Sequence, residues 1–428
     1  MEIFRALAGL SLLLLIAFLF SNYKRGISWK LVAGGVTLQI FLGILILKID
    51  FFENIFRLIS GAFVKVLSFA GEGAAFLFGD LAGDNFGFIF AFQVLPIIIF
   101  FSSLSAGLYY LGVLQKVVYG LAWLMKRTMR LSGPESLSAA GNVFLGQTEA
   151  PLLVRPFIAR MTLSELMCLM TGGMATIAGS VLAGYVFFLG GESEAEQTRF
   201  AAYLLSASIM NAPAAIVVAK IMVPERNPEQ IQEDLKIEES ELGVNLLDAI
   251  TRGASDGLKL ALNVGAMLLV FIAIIAGINF VLSDLIGNWT GLNEMVASSS
   301  DGLFDRFSLE YLLGQIFRVF AFVIGINWEE SLVVGSLIGQ KTVINEFVAY
   351  LSLSEIKAEG TLSEKSVVIA TYALCGFSNF ASIAIQIGGI GGMAPNQQGN
   401  LSRLGLKALI GATIACLMTA TLAGVLLF

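Results

Sequence analysis

The sequence predicts an all-α polytopic membrane protein with eight transmembrane helices, two opposed re-entrant hairpins and an inverted internal repeat. Of its 428 residues, 57% are hydrophobic and only 14% are charged, and the mean hydropathy is +0.82. A soluble core of this length needs far fewer apolar side chains. Many apolar runs are also long enough to cross a bilayer, and two further apolar stretches are interrupted by small and polar residues.

The charge pattern and the rare residue types exclude several classes of function. The formal net charge is −6 and the chain has no dense run of Lys or Arg, so the basic footprint of nucleic-acid binding is missing. The three cysteines lie in apolar runs without paired spacing, which predicts small core residues rather than disulfides or a zinc site. The chain contains no histidine, so imidazole cannot act as a ligand, base or proton relay. A membrane enzyme is therefore disfavoured.

Apolar run length gives the predicted spans. The first run lacks the basic start and the cleavage site of a secretion signal, so we interpret it as a transmembrane helix. The eight predicted spans are residues 4–22, 31–48, 86–125, 166–190, 198–223, 246–283, 366–392 and 404–427. Residues 50–68 alternate charged and apolar residues at helical spacing, which predicts a helix lying along the membrane interface.

Basic residues predict the orientation of the chain. They follow the first, third and fifth spans and precede the eighth: Lys24, Arg25, Lys30, Lys126, Arg127, Arg130, Lys220, Arg226, Arg403 and Lys407. By the positive-inside rule these loops are cytoplasmic, so both termini are predicted to lie outside. The acidic run 228–241 is then predicted to be a solvated cytoplasmic linker.

Two apolar segments do not fit as single spans. Residues 131–160 and 309–350 are each interrupted near the middle by small and polar residues, and the loops that flank each segment fall on one side of the membrane. We interpret both as re-entrant hairpins. Lipid cannot satisfy an interrupted backbone, so such hairpins must pack inside protein or line a wet cavity.

An internal repeat supports this interpretation. The tetrapeptide TLSE occurs at 162–165 and again at 361–364, and at the same offset Gln147 falls on Glu346. The run GMATIAGS (173–180) likewise falls on YALCGFSN (372–379). Each half therefore reads as a hairpin, a turn and a broken span. Opposed pairs of discontinuous segments are typical of inverted-repeat transporters, with the binding site at the midplane where the breaks meet.

The polar residues at the predicted breaks indicate the chemistry of the site. They are Gln147, Thr148, Glu149, Thr176, Ser180, Asn345, Glu346, Asn379 and Ser382. Uncharged donors and acceptors with two carboxylates suit a neutral, polyhydroxylated substrate with amide-like edges. Each carboxylate taken alone could instead be a helix cap or a structural hydrogen-bonding group. Asn379 and Ser382 could instead hold helices together.

Three motifs, GQTEAPL (146–152), NEFVAY (345–350) and GFSNFASI (376–383), resemble the signatures of concentrative nucleoside transporters. The similarity in order and spacing extends from about residue 85 to the C-terminus. The resemblance implies a homotrimer whose protomers each move a transport domain against a fixed scaffold, as an elevator. The domains implied are 1–125 (scaffold helices and interfacial helix), 126–225 (first transport repeat), 226–308 (acidic linker, long scaffold helix and external segment) and 309–428 (second transport repeat).

The resemblance also implies roles for individual residues. Those on the nucleobase side are Gln147, Thr148 and Glu149, and those on the ribose side are Glu346, Phe377, Asn379 and Ser382. The implied sodium ligands are the side chains of Asn142, Thr148 and Thr176 with backbone carbonyls near Leu145 and Ile177.

The function implied by the resemblance is sodium-coupled uptake of nucleosides across a bacterial inner membrane, with no organic cofactor. The chain has no phosphate-binding loop of the ATPase type, so uphill transport is expected to use an ion gradient. A proton-coupled nucleoside symporter, or a symporter for another neutral polar solute, remains the alternative. Arg318 and Val319 depart from the family pattern, which has a small residue and a proline there, and Arg318 could snorkel or pair with Glu310.

Overall fold

The computed structural model describes residues 2–83, 86, 87, 89–227, 229, 231 and 244–428, and every regular element in these residues is helical. The all-α prediction is therefore confirmed. The predicted acidic linker, 228–241, lies outside the described residues except at positions 229 and 231.

The N-terminal part contains three long helices. They are α1 (Glu2–Leu19), α2 (Trp29–Lys48) and α3 (Asp50–Phe78), with short 3-10 turns at Lys24–Gly26 and Gly79–Ala82. Helix α3 is longer than the predicted interfacial segment 50–68, and together with the turn that follows it is long and apolar enough to cross a membrane. Its placement along the interface stays a prediction.

The predicted third span, 86–125, is wrong as a single helix. The structure has α4 (Phe90–Gln93), α5 (Leu95–Tyr110) and α6 (Val113–Met129). The break after α5 falls at Gly112, whose φ of 74° is left-handed and therefore favours glycine. Apolar residues continue across this break, so hydropathy could not reveal it.

The first hairpin segment and the helices after it form the next part. They are α7 (Gly133–Asn142), a 3-10 turn (Ala150–Val154), α8 (Arg155–Ile158), α9 (Leu163–Ala175), α10 (Gly179–Gly190) and α11 (Glu194–Met222). Two short helical arms thus flank a non-helical tip at 143–149. That this segment enters and leaves the membrane on one side stays a prediction. Reciprocal capping boxes begin α7 and α9, through Ser132 with Glu135 and Thr162 with Glu165.

A long helix, α12 (Leu246–Asn279), begins the second half. It continues through a π-helical segment (Phe280–Gly287) into the short helices α13 (Asn288–Thr290) and α14 (Leu292–Ser299). In the span Leu246–Thr290 only 11% of the most apolar window is buried, against 94% for Leu163–Gly190. The long helix therefore lies at the periphery, and the helices of the first repeat form the interior.

The predicted second hairpin, 309–350, is wrong in its bounds. Three helices occupy this region, α15 (Leu309–Val323), α16 (Trp328–Val343) and α17 (Glu346–Glu359), and α15 meets α16 at 117°. The gap between α16 and α17 is only two residues long because Asn345 caps α17, its Oδ1 accepting from the backbone N–H of Val348 at 2.9 Å. In element order, α16 and α17 correspond to the arms of the first hairpin segment.

The last part contains the second broken span and the C-terminal helix. It consists of α18 (Glu364–Leu374), α19 (Phe380–Met393), a 3-10 turn (Pro395–Gln397) and α20 (Gln398–Leu427). The predicted breaks in both repeated spans are present, at 176–178 and at 375–379. The two halves therefore share one order of elements: two arms, a broken span and a long helix.

Eight helical stretches of the described chain are long and apolar enough to cross a membrane. Six of them coincide with predicted spans, a seventh, Phe90–Tyr110, lies within the predicted span 86–125, and the eighth is Asp50–Ala82. The predicted span 366–392 is not among them, because the break divides it into two helices that are each too short.

Candidate functional site

Side chains from the two halves meet in one hydrogen-bonded chain. Gln147 at the first hairpin tip donates through Nε2 to Ser382 Oγ at 3.0 Å. Asn379 donates through Nδ2 to Glu346 Oε2 at 2.8 Å, and its Oδ1 accepts from the backbone N–H of Ser382 at 2.8 Å. The structure therefore brings together four of the predicted substrate residues, all of them buried.

Two further residues extend this chain at its ends, and sequence reasoning missed both. Gln386 donates through Nε2 to Gln147 Oε1 at 3.2 Å and to the carbonyl of Met170 at 3.1 Å. Tyr185 donates through its hydroxyl to Glu346 Oε1 at 2.9 Å. Gln386 could have been found, because it lies one helical turn after Ser382 on the same face. Tyr185 gave no signal within its apolar run.

Aromatic packing fixes the position of the Glu346 carboxylate. The Tyr185 ring stacks on Tyr350 with centroids 4.4 Å apart and meets Phe347 edge-on at 4.9 Å. The Tyr350 hydroxyl donates to the carbonyl of Thr371 at 2.9 Å, which anchors the stack to α18. Each oxygen of Glu346 accepts one of the described hydrogen bonds, and an ionised carboxylate has lone pairs for more.

The other predicted nucleobase-side residues lie at the same tip but outside the hydrogen-bonded chain. Glu149 accepts through Oε2 from the backbone N–H of Gly146 at 2.9 Å, so it helps to close the tip. The side chains of Glu149 and Thr148 are exposed. Thr148 also packs against α19, since a Cβ added at Gly389 would lie 3.3 Å from its methyl group. Glu149 is thus both a structural hydrogen-bonding group and an accessible carboxylate.

Phe377 and Lys341 lie near the break between α18 and α19 (375–379), which we call the second break. Phe377 is buried among core side chains, and its carbonyl accepts from the backbone N–H of Asn379 at 2.8 Å. Lys341, also buried, donates to the carbonyl of Ala373 at 3.0 Å, near the end of α18. The lysine therefore satisfies a buried carbonyl group near the C-terminal end of the helix, where the charge of the ammonium is favourable.

The predicted cation ligands lie around the break between α9 and α10 (176–178), which we call the first break. Asn142 is buried, and neither atom of its amide has a hydrogen-bond partner among the described residues. Thr176 donates through Oγ1 to the carbonyl of Gly172 at 2.9 Å, and a Cβ added at Gly172 would lie 3.4 Å from the Asn142 amide nitrogen. The two side chains therefore adjoin the same turn of α9.

Backbone oxygens complete this donor set. The carbonyls of Leu145 and Ile177 accept no hydrogen bond from any residue that the structure describes. Ile177 is buried and Leu145 is half-buried. A buried acceptor without a partner is rare and costly, so the carbonyl of Ile177 in particular is expected to bind a ligand. Amide, hydroxyl and carbonyl oxygens without a carboxylate fit a monovalent cation at a helix break. In the described ranges, no cluster of three or more acidic or cysteine side chains could hold another metal ion.

The structure decides between the two alternatives for Arg318. Its Nε donates to Ser331 Oγ and one terminal nitrogen to the carbonyl of Trp328, both at 3.1 Å, and its guanidinium lies 3.9 Å from the centre of the Trp328 ring. Glu310 instead accepts both hydrogen bonds from Asn279 Nδ2. Arg318 therefore ties α15 to the start of α16 and does not pair with Glu310.

Three family models match this chain in succession. They are the Na+ dependent nucleoside transporter N-terminus at residues 8–81, nucleoside recognition at 91–192, and the Na+ dependent nucleoside transporter C-terminus at 203–424. The last of these matches alone spans more than half of the chain.

Relatives and solved structures agree with the family models. An uncharacterized transporter of Haemophilus influenzae is 42% identical over 99% of this chain and 98% of its own length. Sodium/nucleoside cotransporter 1 of Rattus norvegicus is 39% identical over 98% of this chain, which spans 63% of that protein.

The structure of CNTnw in an inward-facing, substrate-bound state is 40% identical, with a TM-score of 0.90 over 100% of this chain and 98% of its own. A doubly substituted CNTnw variant in an outward-facing state is also 40% identical, with a TM-score of 0.91 over 100% of this chain and 99% of its own. The protein is a membrane transporter rather than an enzyme, and it belongs to the Na+ dependent nucleoside transporter family.

Proposed function

We propose that this protein is a symporter that uses the sodium gradient to concentrate nucleosides in the cell. The observation that carries the proposal is the buried chain Gln147–Ser382–Asn379–Glu346, which joins the two halves. The buried amide of Asn142, which has no partner among the described residues, adds to it. A polar chain in an apolar interior is costly unless its members are satisfied or bind a ligand.

The nucleobase is proposed to bind at the first hairpin tip. The amide of Gln147 both donates and accepts, and it now bonds to Ser382 and Gln386. The edge of a base presents the same pair of functions, so it can replace one partner without leaving the amide unsatisfied. Thr148 and Glu149 lie next along the chain with exposed side chains, and they would meet the base or its bound water.

The ribose is proposed to bind at the second break. Vicinal hydroxyls are two donors, and Glu346 is the buried carboxylate in the hydrogen-bonded chain that can accept both. Asn379 and Ser382 hold this end of the site in place, and Phe377 supplies an apolar surface for the sugar ring.

Sodium is proposed to bind at Asn142, Thr148 and Thr176, with the carbonyls of Leu145 and Ile177. The unpartnered amide of Asn142 and the two free carbonyls support this set. Sodium bound there would hold the hairpin tip against the break in α9–α10, and so place Gln147 for the base.

The identity of the coupled ion is tested on proteoliposomes by imposing a sodium gradient and a pH gradient separately. We expect labelled uridine and adenosine to accumulate against a concentration gradient when sodium is high outside, and to equilibrate without one. Sodium is favoured over protons because the donor set at the first break has no titratable side chain. Undiminished accumulation in sodium-free buffer with a pH gradient would establish the proton-coupled alternative.

A matched pair of variants locates the sodium site in the same assay. Asn142→Ala removes one proposed ligand and should raise the half-saturating sodium concentration roughly 10-fold, which corresponds to a loss of about 1.4 kcal/mol in the free energy of sodium binding. Asn396→Ala removes an exposed asparagine that donates to the carbonyl of Ala159, and it should leave sodium dependence unchanged. Equal sodium dependence in both variants would remove Asn142 from the site.

Assembly and orientation complete the proposal. We propose a homotrimer with both termini outside, in which 1–125 and 226–308 form the scaffold and 126–225 and 309–428 move as an elevator. The exposed apolar surface of α12, with Leu262 and Leu269, supports a peripheral scaffold helix that meets lipid or a neighbouring copy. CNTnw has been solved in an inward-facing state and, as substituted variants, in outward-facing and intermediate states.

Labelling in intact cells tests the orientation. The three native cysteines are buried, so an added exposed cysteine reports its own side of the membrane. An impermeant maleimide should label Ser298→Cys from outside but should reach Ser402→Cys only after the cells are opened, and both positions are exposed.

The mass of the detergent-solubilised protein tests the assembly and should correspond to three copies. The reverse labelling pattern, or a single-copy mass, would contradict the corresponding part of the proposal.

A further inference from the structure

Asn211, in the middle of α11, binds the helix ends at both breaks. Its Nδ2 donates to the carbonyl of Ala175, the last residue of α9, at 2.7 Å, and to the carbonyl of Cys375, directly after α18, at 3.1 Å. Asn211 is fully buried. Because both neighbours are acceptors, the nitrogen rather than the oxygen of the amide must face them.

The two breaks touch at this point. Gly376 has a φ of +135°, and a Cβ added to it would lie 2.7 Å from the carbonyl oxygen of Ala175. The thiol of Cys416, in α20, lies 2.9 Å from the carbonyl of Cys375 and 3.5 Å from that of Ala175. The long helix that ends each half therefore supplies one side chain to the same pair of carbonyls.

The residues that follow these carbonyls belong to different ligands. Thr176 and Ile177, of the proposed sodium site, come directly after Ala175, whereas Phe377 and Asn379, of the proposed ribose side, follow Cys375. The amide of Asn211 and the thiol of Cys416 therefore connect the two breaks. Sodium bound at the first break would fix the end of α9 and, through this amide, the backbone that carries the ribose ligands.

We infer that Asn211 is a positioning residue that couples sodium binding at the first break to nucleoside binding at the second, an inference that rests on the proposed symport function. Coupling of this kind is reciprocal, so sodium raises nucleoside affinity by the factor by which nucleoside raises sodium affinity. Gln147 and Ser382 form a second link between the halves, so the loss of Asn211 reduces the coupling without abolishing it.

Coupling is reported by the dissociation constant for uridine without sodium divided by the dissociation constant for uridine at saturating sodium. Uridine binding to the purified protein is measured at saturating sodium and again with sodium replaced by choline. Asn211→Leu keeps a similar volume and removes both hydrogen bonds. The matched control is Gln39→Leu, because Gln39 is also fully buried and donates one hydrogen bond between α2 and α20, to Thr419 Oγ1 at 3.0 Å, but bonds to neither break carbonyl.

The expected result is a ratio that falls roughly 5-fold or more in Asn211→Leu, the lower end of typical coupling between sites. Gln39→Leu should unfold at a lower temperature and keep the wild-type ratio. If Asn211→Leu does not fold, Asn211→Ser serves instead, since a serine hydroxyl is too short to reach both carbonyls and the ratio should fall as well.

Two negative outcomes have different meanings. A wild-type protein whose uridine affinity ignores sodium would contradict the proposed symport function and this inference with it. A wild-type sodium effect that persists unchanged in the folded Asn211 variant would overturn the coupling role alone. Equal losses of uridine affinity with and without sodium would likewise reassign Asn211 to a purely structural role.

Discussion

Glu346→Gln is expected to weaken apparent nucleoside affinity roughly 10- to 100-fold, since a charge-assisted hydrogen bond contributes about 1.5 to 3 kcal/mol. The carboxylate accepts from Tyr185 and Asn379 and keeps lone pairs for the substrate hydroxyls. Glutamine preserves the shape of the side chain but removes its charge. Its amide nitrogen, which is a donor, would also face either Tyr185 or Asn379, which are donors as well. Uptake of labelled uridine over a range of concentrations measures the loss.

Substrate analogues and a matched variant make this prediction specific. The loss should be smaller for deoxynucleosides, which already lack one hydroxyl donor. Tyr185→Phe removes one donor to the same carboxylate and leaves the charge, so it should reduce affinity less than Glu346→Gln does. Both variants should keep the assembly of the wild type in detergent.

Glu149→Gln provides the comparison at the other carboxylate. Its side chain is exposed and closes the hairpin tip through Gly146, an interaction that a glutamine oxygen can still accept. We expect a loss of apparent affinity of the same order, with no preference between ribose and deoxyribose. Wild-type uptake and wild-type discrimination in both Gln variants would mean that the two carboxylates have structural roles. Loss of the proposed trimer in Glu346→Gln would assign that residue to assembly.

Lys220→Met should destabilise the protein by about 3 to 5 kcal/mol, the usual result of removing one partner from a buried ion pair. Lys220, near the end of α11, contacts the carboxylate of Glu135 at the start of α7, and it donates to Ser164 Oγ at 3.0 Å. Both charged side chains are at least nine-tenths buried, so the remaining carboxylate would lack a cationic partner and would keep its hydrogen bond from the backbone N–H of Ser132. Thermal unfolding in detergent measures the change.

Two controls separate the ion pair from the loss of a long side chain. The double variant Glu135→Gln with Lys220→Met removes both charges and should recover much of the lost stability. Lys259→Met breaks a pair with Asp256 in which both side chains are about three-quarters exposed, and it should change stability by only about 0 to 1 kcal/mol. If Lys220→Met and Lys259→Met unfolded at the same temperature, the buried pair would not stabilise the fold.

Much of the architecture could be predicted because the bilayer restricts what a sequence can do. Only helices satisfy the backbone in lipid, so apolar run length located six of the spans and part of a seventh. Polar residues within such runs are tolerated only at interior breaks, and this rule placed the breaks at 176–178 and 375–379 correctly. The same rule predicted that the polar residues at these breaks lie together. Four of them are connected by hydrogen bonds in the structure: Gln147, Glu346, Asn379 and Ser382.

Helix ends inside apolar runs could not be predicted in this way. Hydropathy does not distinguish one helix over 86–125 from two helices separated at Gly112, since the residues on both sides are apolar. The same limit explains the error at 309–350, where Asn345 begins α17 as a cap, a local role that a hydropathy pattern does not distinguish from ligand binding. The predicted bounds were therefore weakest where two helices follow one another without a polar loop.

Composition and residue pattern were sufficient to establish a helical membrane transporter with polar groups at paired breaks, because the cost of burying backbone and charge in lipid depends on residue type alone. Which groups pair was settled only by packing. Gln147 and Ser382 are 235 residues apart in the chain, and Tyr185 and Glu346 are 161 residues apart. A hydrogen bond depends on distances within about 3.5 Å, and no local pattern specifies such distances between remote residues. For that reason the roles inferred for Tyr185, Gln386 and Asn211 come from the packed helices.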